Sequence, residues 1–193
     1  TDGQTPIGYD IDINKALAKV MGLSSGETKH SEFPTIIPAL GTKFDVGISS
    51  FTITTDREQQ VNMVSYLNVG SAWGVAAGNP KNFNPSDPCG TTIAVQTGTA
   101  QEEYAATLSD ECVAAGKSKI TVMPHELQTD IATKLIGGQY DATLADSTVI
   151  GYTSAQSGGK IEQLGDTFES APQGIAVAKD DAQLTEAVQK AMQ

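Results

Sequence analysis

One structural pattern occurs twice in this sequence, nearly half the chain length apart. The segments 40–50 and 136–146 each combine a helix end, a glycine turn, an aromatic–aspartate pair and a short apolar strand. The first strand ends on Ser49 and Ser50, and the second ends on Asp146. Ligands of open α/β sheets bind beyond the carboxyl ends of the strands. The repeat therefore predicts two similar lobes facing a cleft, with these three residues as candidate ligand contacts.

Helix and strand signals alternate along the rest of the chain. Sequence patterns predict helices at 10–22, 34–40, 127–136, 147–154 and 181–192, with two more that begin near residues 55 and 98. Asp10 is expected to cap the first helix, and Thr55 with Glu58 is typical of a capping box. Strands are predicted at 44–49, 71–77, 92–96, 120–123, 141–145 and 174–178. This alternation indicates an α/β fold with mostly parallel sheets.

A segment rich in Asn, Pro, Ser and Asp, residues 79–90, is the expected boundary or hinge. We expect residues 1–77 and 177–193 to form the first lobe and residues 78–176 to form the second. The chain then crosses twice between the lobes, which permits a hinge motion that closes on a ligand.

Charge and composition argue against several classes of protein. The formal net charge is −11 with 12 Lys and Arg residues, and phosphate binding needs clustered cations, so nucleic acid is not an expected partner. No apolar run reaches the roughly 18 residues that mark a transmembrane helix. The two His and two Cys lack metal-ligand spacing, and residues 96–100 lack the Gly-Lys-Ser/Thr of a phosphate loop. No metal and no cofactor are predicted.

Cys89 and Cys112 both lie among turn or surface residues rather than in apolar runs. Buried free thiols favour apolar surroundings, so this setting predicts a Cys89–Cys112 disulfide. A structural disulfide indicates an oxidising compartment.

A hydroxyl-rich loop, residues 50–57, leads into a predicted helix start and ends on Arg57. The Ser50 and Thr52 hydroxyls, the helix N-terminus and the arginine fork together describe an anion site. The alternative is a surface loop with an ordinary exposed arginine.

A second strand-to-helix turn, at 96–100, brings Gln96, Thr99 and Ala100 to a helix start. It is either a ligand-binding turn or a plain turn capped by Thr99. Asp146 suits an ammonium group or the cap of the next helix, and both roles are open. Phe33 is either a core residue or an aromatic wall.

No catalytic residue is predicted. The sequence has no Gly-x-Ser-x-Gly motif, and neither His30 nor His125 lies in a catalytic context. Glu126 is the one weak candidate for a general acid.

Six segments, taken in order, resemble the extracytoplasmic amino-acid-binding proteins of ABC transporters, the solute-binding protein family 3. They are Gly-Tyr-Asp-Ile-Asp at 8–12, Phe-Pro-Thr-Ile-Ile-Pro-Ala-Leu at 33–40, Phe-Asp-Val-Gly at 44–47, Thr-Ile-Thr-Thr-Asp-Arg at 52–57, Gly-Thr-Ala-Gln-Glu at 98–102 and Asp-Ala-Thr-Leu-Ala-Asp at 141–146. The resemblance covers nearly the whole chain. It implies two α/β lobes joined by a hinge, and an N-terminal strand of the family is expected to be missing here.

The resemblance also implies roles for individual residues. Arg57 would bind the ligand α-carboxylate with help from Ser50 and Thr52, and Thr99 with the N–H of Ala100 would complete that site. Asp146 would bind the α-ammonium. Phe33 would stack on the ligand, and Gln96 would face its side chain.

The implied function is capture of a free amino acid, with polar ones favoured, and delivery to the membrane subunits of an ABC permease. The implied location is extracytoplasmic, either the periplasm or the surface of a Gram-positive cell as a lipoprotein. Two alternatives remain: an enzyme on the same scaffold, similar to cyclohexadienyl dehydratase, and the ligand-sensing domain of a receptor.

Overall fold

Helices and strands alternate in the computed structural model, which describes residues 5–24 and 26–193. The helices of this part are α1 (Tyr9–Val20), α2 (Phe33–Ile36), α3 (Thr55–Gln60), α4 (Ala100–Ala114), α5 (Gln128–Ile136), α6 (Ser147–Gln156) and α7 (Ala182–Ala191), with a 3-10 helix at Ile37–Ala39. The strands are β1 (Val46–Thr52), β2 (Val61–Ala76), β3 (Thr92–Gln96), β4 (Thr121–His125), β5 (Ala142–Asp146) and β6 (Ile161–Ala178). The predicted α/β class is confirmed.

Two strands are much longer than the sequence predicts. β2 and β6 have 16 and 18 residues, and each has a largely exposed or half-buried part followed by a fully buried end. Only the buried ends give the apolar run that marks a strand in sequence. In the other parts of both strands, polar residues such as Asn68 and Glu169 interrupt the apolar pattern.

The chain forms two compact units, and it passes from one to the other within these long strands. The first unit is Thr1–Asn68 with Pro172–Gln193, and the second unit is Val69–Ala171. The expected boundary segment 79–90 lies inside the second unit. There the Asn79 side chain bonds both the N–H and the carbonyl of Phe83, whose ring is buried in the core. The Asn79 side chain therefore holds the buried Phe83 in a loop of the second unit.

Strand directions are mixed rather than mostly parallel as predicted. In the first unit β1 pairs antiparallel with β6, with Val46 opposite Val177. In the second unit β3 lies parallel to both β4 and β5, whereas β5 pairs antiparallel with β2. The parallel arrangement thus holds where β3, β4 and β5 alternate with α4 and α5, because each helix crossover returns the chain in the same direction.

The two copies of the repeated motif share a glycine turn. Gly41 and Gly138 both have a φ of 75°, a conformation that other residues rarely adopt. Gly41 follows the 3-10 helix and Gly138 follows α5, and each precedes the strand of its own unit. The prediction that a glycine ends the helix in each copy is confirmed.

Each unit has its own core. In the first unit the buried apolar side chains come mainly from α1, α7 and the strands, and they include Leu17, Leu40, Phe51, Val61, Val64, Ile175, Val177 and Val188. The largest cluster of the second unit includes Trp73, Val75, Phe83, Ile93, Val95 and Leu144. The predicted disulfide joins Cys89 to Cys112 of α4 at the side of this cluster, so that prediction is confirmed.

A groove of about 810 Å³ lies in the first unit. It is lined by α1, α7, residues 26–29, Ser31 and the start of β1, with Leu17, Val46 and Val188 among its apolar side chains. β1 stands at the end of the strand order, so β6 is its one strand partner in the described part of the chain.

Candidate functional site

The end of β1 carries the two serines predicted to contact a ligand. Ser50 has a φ of 50°, which non-glycine residues adopt rarely. The pairing of β1 with β6 shifts register between Gly47 and Phe51, so the irregularity of the strand coincides with Ser49 and Ser50. Strained residues of this kind concentrate at ligand-binding sites.

Asp10 lies beside Ser50, and its expected role as the cap of α1 is wrong. The N-cap of α1 is Gly8, and no side chain caps the helix. The Asp10 carboxylate instead accepts hydrogen bonds from the Tyr66 hydroxyl at 2.8 Å and the Ser50 hydroxyl at 3.4 Å. The Ser50 N–H donates to the Tyr66 oxygen at 3.2 Å. We call these three residues the Asp10 cluster.

Tyr66 remains a donor in this cluster over a wide pH range. Burial raises the pKa of its hydroxyl well above the ordinary value of 10.0, and the negative charge of Asp10 raises the pKa further. The protonated hydroxyl therefore fixes the direction of the Asp10 carboxylate.

Arg57 is the sole arginine of the sequence, and the end of β1 holds it in place. Its guanidinium donates to the Thr52 carbonyl at 2.7 Å. The guanidinium carbon lies 5.6 Å from the ring centre of Phe33 and 5.5 Å from that of Phe51, within the range of cation–π contacts. The Thr52 carbonyl and the two phenylalanine rings together orient the guanidinium of Arg57.

The cap of α3 differs from the predicted one. Thr54, not Thr55, is the N-cap, and its hydroxyl oxygen accepts from the Arg57 N–H at 3.3 Å. The capping box predicted at Thr55 and Glu58 is therefore wrong. Because α3 has six residues, fewer than two turns, its dipole adds little to an anion site.

Phe33 belongs to the edge of a core cluster. Its ring centre lies 4.6 Å from that of Phe51, and the side chain is half-buried. The core reading is thus observed, and contact of Phe33 with a ligand stays a prediction.

The turn at 96–100 in the second unit is capped as the sequence predicts. The Thr99 oxygen accepts from the Glu102 N–H at 3.2 Å, and the Thr99 hydroxyl donates to the Gln96 carbonyl at 2.7 Å. Gly98 has a φ of 76°, and its N–H donates to the Glu102 carboxylate at 2.7 Å. Ala100 is the first residue of α4. The proton of the Thr99 hydroxyl is therefore used within the turn.

Gln96 ends β3 and connects it to the chain beyond β4. Its side-chain amide donates to the Glu126 carbonyl at 3.1 Å, and the next residue, Thr97, donates its N–H to the His125 carbonyl. The side chain of Gln96 thus links the turn after β3 to the segment after β4. Its contact with a ligand stays a prediction.

Asp146 ends β5 and occupies the N-cap position of α6, but its side chain makes no cap hydrogen bond. The carboxylate accepts from the Gln101 amide at 2.8 Å. The same amide nitrogen donates to the Ser71 hydroxyl at 3.1 Å, and Ser71 lies opposite Asp146 in the β2–β5 pairing. We call these three residues the Asp146 cluster. The predicted side-chain cap by Asp146 is therefore not formed, and its contact with an ammonium group stays a prediction.

Gln101 is not among the residues predicted from the sequence, although a signal was present. Gln101, Ala105 and Cys112 are the buried residues of α4, and their spacing puts them on one helix face. A polar residue on the buried face of a helix needs a polar partner. That mismatch pointed to a buried hydrogen-bond network at the start of α4.

A further polar group lies at the end of β4. The Lys134 ammonium lies 3.4 Å from the His125 Nδ1, and His125 Nε2 lies 2.6 Å from the Tyr140 hydroxyl. An ammonium can only donate, so Nδ1 is the acceptor and Nε2 carries the proton. Burial lowers the pKa of His125 below 6.5 and the charge of Lys134 lowers it further, against an opposing effect of Asp130.

Acid should therefore destabilise the protein partly through His125. The unfolded state takes up a proton near pH 6.5 and the folded state at lower pH, so stability falls as pH drops through 6.5. We expect the melting temperature of His125→Asn to fall less between pH 7.5 and pH 5.5 than the melting temperature of the parent protein. The exposed His30 offers the matched control, His30→Asn. Equal acid-induced losses in all three proteins would contradict this assignment.

Residues 5–24 and 26–193 contain no group of three or more His, Cys, Asp or Glu side chains arranged to hold a metal ion. Within those same residues, no helix has the length and apolar character needed to cross a membrane.

Known proteins resemble the chain over its whole length. The arginine-binding protein ArgT of Corynebacterium glutamicum is 36% identical over 179 residues, which are 91% of this chain and 58% of ArgT. The chain thus spans less than two thirds of that relative. The structure of an ancestral arginine-binding protein bound to arginine matches with a TM-score of 0.86 at 32% identity, over 100% of this chain and 83% of the other.

A further solved structure bears on the enzyme alternative. An ancestral amino acid-binding protein, described as a precursor of cyclohexadienyl dehydratase, matches with a TM-score of 0.84 at 28% identity, over 100% of this chain and 81% of the other.

The family model of the bacterial extracellular solute-binding proteins, family 3, matches residues 1–193. The chain therefore belongs to the bacterial extracellular solute-binding proteins, family 3.

Proposed function

We propose that this protein captures a free amino acid with a cationic side chain, arginine above all, outside the cytoplasm and delivers it to an ABC permease. The observation that carries the proposal is the Asp146 cluster. A carboxylate at the end of a strand is held by a neutral amide and does not cap the helix that follows it. Such an oriented carboxylate suits the α-ammonium of an amino acid.

The α-carboxylate of the ligand is assigned to Arg57. Its guanidinium is oriented by the Thr52 carbonyl and two aromatic rings. In the second unit the N–H of Ala100 is the better donor for this carboxylate, because the Thr99 hydroxyl already donates to Gln96.

Acidic groups support a cationic side chain on the ligand. The Asp10 cluster presents a carboxylate beside Ser50, and the chain as a whole carries a net charge of −11. Both features favour cations over anions. The names of the relatives point the same way, since ArgT and the ancestral protein are described as arginine-binding.

We further propose that the protein binds its ligand without turnover. The weak candidate for a general acid, Glu126, has an exposed side chain, and its backbone carbonyl accepts from Gln96. Incubation with cyclic amino-acid precursors, followed by NMR, should show no product. Product formation that exceeds a buffer control would support the dehydratase alternative instead.

The proposed location rests on the family and on the disulfide. Family members are described as extracellular, and the Cys89–Cys112 bond persists most readily in an oxidising compartment. The permease partner is proposed from the family alone.

Asp146→Asn is the experiment that tests the proposed function. The change keeps the shape but removes the charge that holds the ammonium, so calorimetry should show L-arginine binding weakened by about 1.5–3 kcal/mol. The fold should survive, because Asn is also a favoured residue at an N-cap position. Asp110→Asn, at an exposed position of α4, is the matched control and should bind like the parent. Unchanged affinity in Asp146→Asn would remove the ammonium assignment.

A further inference from the structure

We propose that Gln101 is a positioning residue, which turns the Asp146 carboxylate away from the N-terminus of α6 and directs it toward the ligand ammonium. The inference rests on the proposed function and deepens it. Gln101 itself is not assigned a contact with the ligand.

Asp146 stands where a carboxylate would ordinarily cap a helix. It is the N-cap residue of α6, and Asp is among the most favoured residues there because its oxygen can accept from the first free N–H groups. Yet no side-chain cap bond forms in α6, whereas α4 and α7 are capped by the side chains of Thr99 and Asp181. Something must compete for the Asp146 carboxylate.

The amide of Gln101 is one such competitor. The amide nitrogen has two N–H groups, and it donates to Asp146 at 2.8 Å and to Ser71 at 3.1 Å. Turning the amide around would place its oxygen against the carboxylate, so the contact with Asp146 fixes the orientation. Gln101 is 7% exposed and its hydrogen bond to Asp146 is partly buried, so that bond is stronger than one in water.

The chemistry of the donor suits a binding role. Neither Gln101 nor Ser71 carries a charge, so the cluster fixes the direction of the carboxylate and supplies no counter-charge. A lysine at position 101 would hold the carboxylate equally well but would compete with the ammonium of a ligand. A neutral amide holds it without that competition.

The test compares two ligands in Gln101→Met, which keeps the length of the side chain and removes its donors. L-arginine carries an α-ammonium, and desamino-arginine keeps the carboxylate and guanidinium but lacks it. In calorimetry we expect the Kd of L-arginine to rise about tenfold and that of desamino-arginine to stay the same. The melting temperature should hold or rise, because Asp146 becomes able to cap α6. Gln156→Met, at the exposed end of α6, is the control.

Two further measurements separate positioning from a general structural role. Combined with Asp146→Asn, the Gln101→Met change should cause no additional loss of L-arginine binding. Gln101→Asn keeps the amide on a shorter side chain and serves as the second variant in case Met disturbs the packing. It should show the same selective loss of L-arginine binding. Equal weakening of both ligands, or of neither, overturns the inference alone. A parent protein that binds neither ligand overturns the proposed function and this inference with it.

Discussion

Replacing Arg57 with Met should weaken the binding of L-arginine by about 2–5 kcal/mol, or at least about 30-fold in Kd. The loss is large because a desolvated carboxylate would remain without its charged partner. Arg57 is the single guanidinium of the chain, and the Thr52 carbonyl with two phenyl rings orients it. Calorimetry of the parent and the variant measures the effect directly.

Agmatine, the decarboxylated form of arginine, provides the control for this prediction. It lacks the group that Arg57 is proposed to bind, so Arg57→Met should leave its affinity unchanged. Arg57→Lys should fall between the parent and Met, since an ammonium keeps the charge but not the two-pronged geometry. If both variants lose L-arginine and agmatine alike, Arg57 supports the fold of the site rather than the carboxylate.

Removing the disulfide in the double variant Cys89→Ala and Cys112→Ala should lower the free energy of unfolding by about 3–4 kcal/mol on the loop-entropy model. The bond closes a loop across a sequence separation of 23 and fastens the segment 79–90 to α4. Without it the unfolded chain gains conformational freedom. Urea denaturation without reductant measures the loss.

Reduction of the parent protein offers an independent check on the same bond. Dithiothreitol should shift the urea midpoint of the parent toward that of the double variant and leave the double variant unchanged. A parent that is equally stable with and without reductant would show that the bond contributes no stability.

Much of the fold could be predicted because local signals agree with the packing. β3 begins and ends where its apolar run predicts, and the glycine turns at Gly41 and Gly138 mark the start of both repeated motifs. The long strands β2 and β6 were not predicted in full, because the first half of β6 is mostly polar and Ser65 and Asn68 interrupt the apolar residues of β2.

The candidate site residues at the strand ends could be predicted from the sequence, but the residues that orient the acidic groups of the site could not. Ser50 and Asp146 follow from the repeated motif alone. Tyr66 and Gln101, which orient the acidic groups beside them, are 16 and 45 positions distant in sequence from Ser50 and Asp146. Contacts of that range depend on tertiary structure. The shift of the α3 cap from Thr55 to Thr54 has a different cause, since adjacent threonines offer equivalent cap oxygens.

Thermal melting in the presence of each of the twenty amino acids tests the central claim, capture of a cationic amino acid, most directly. A ligand at 100 times its Kd adds about 2.7 kcal/mol to the free energy of unfolding, which raises the melting temperature measurably. We expect L-arginine to give the largest rise, other cationic amino acids a smaller one, and aspartate and glutamate none. A melting temperature that no amino acid raises, or that aspartate or glutamate raises most, would contradict the account.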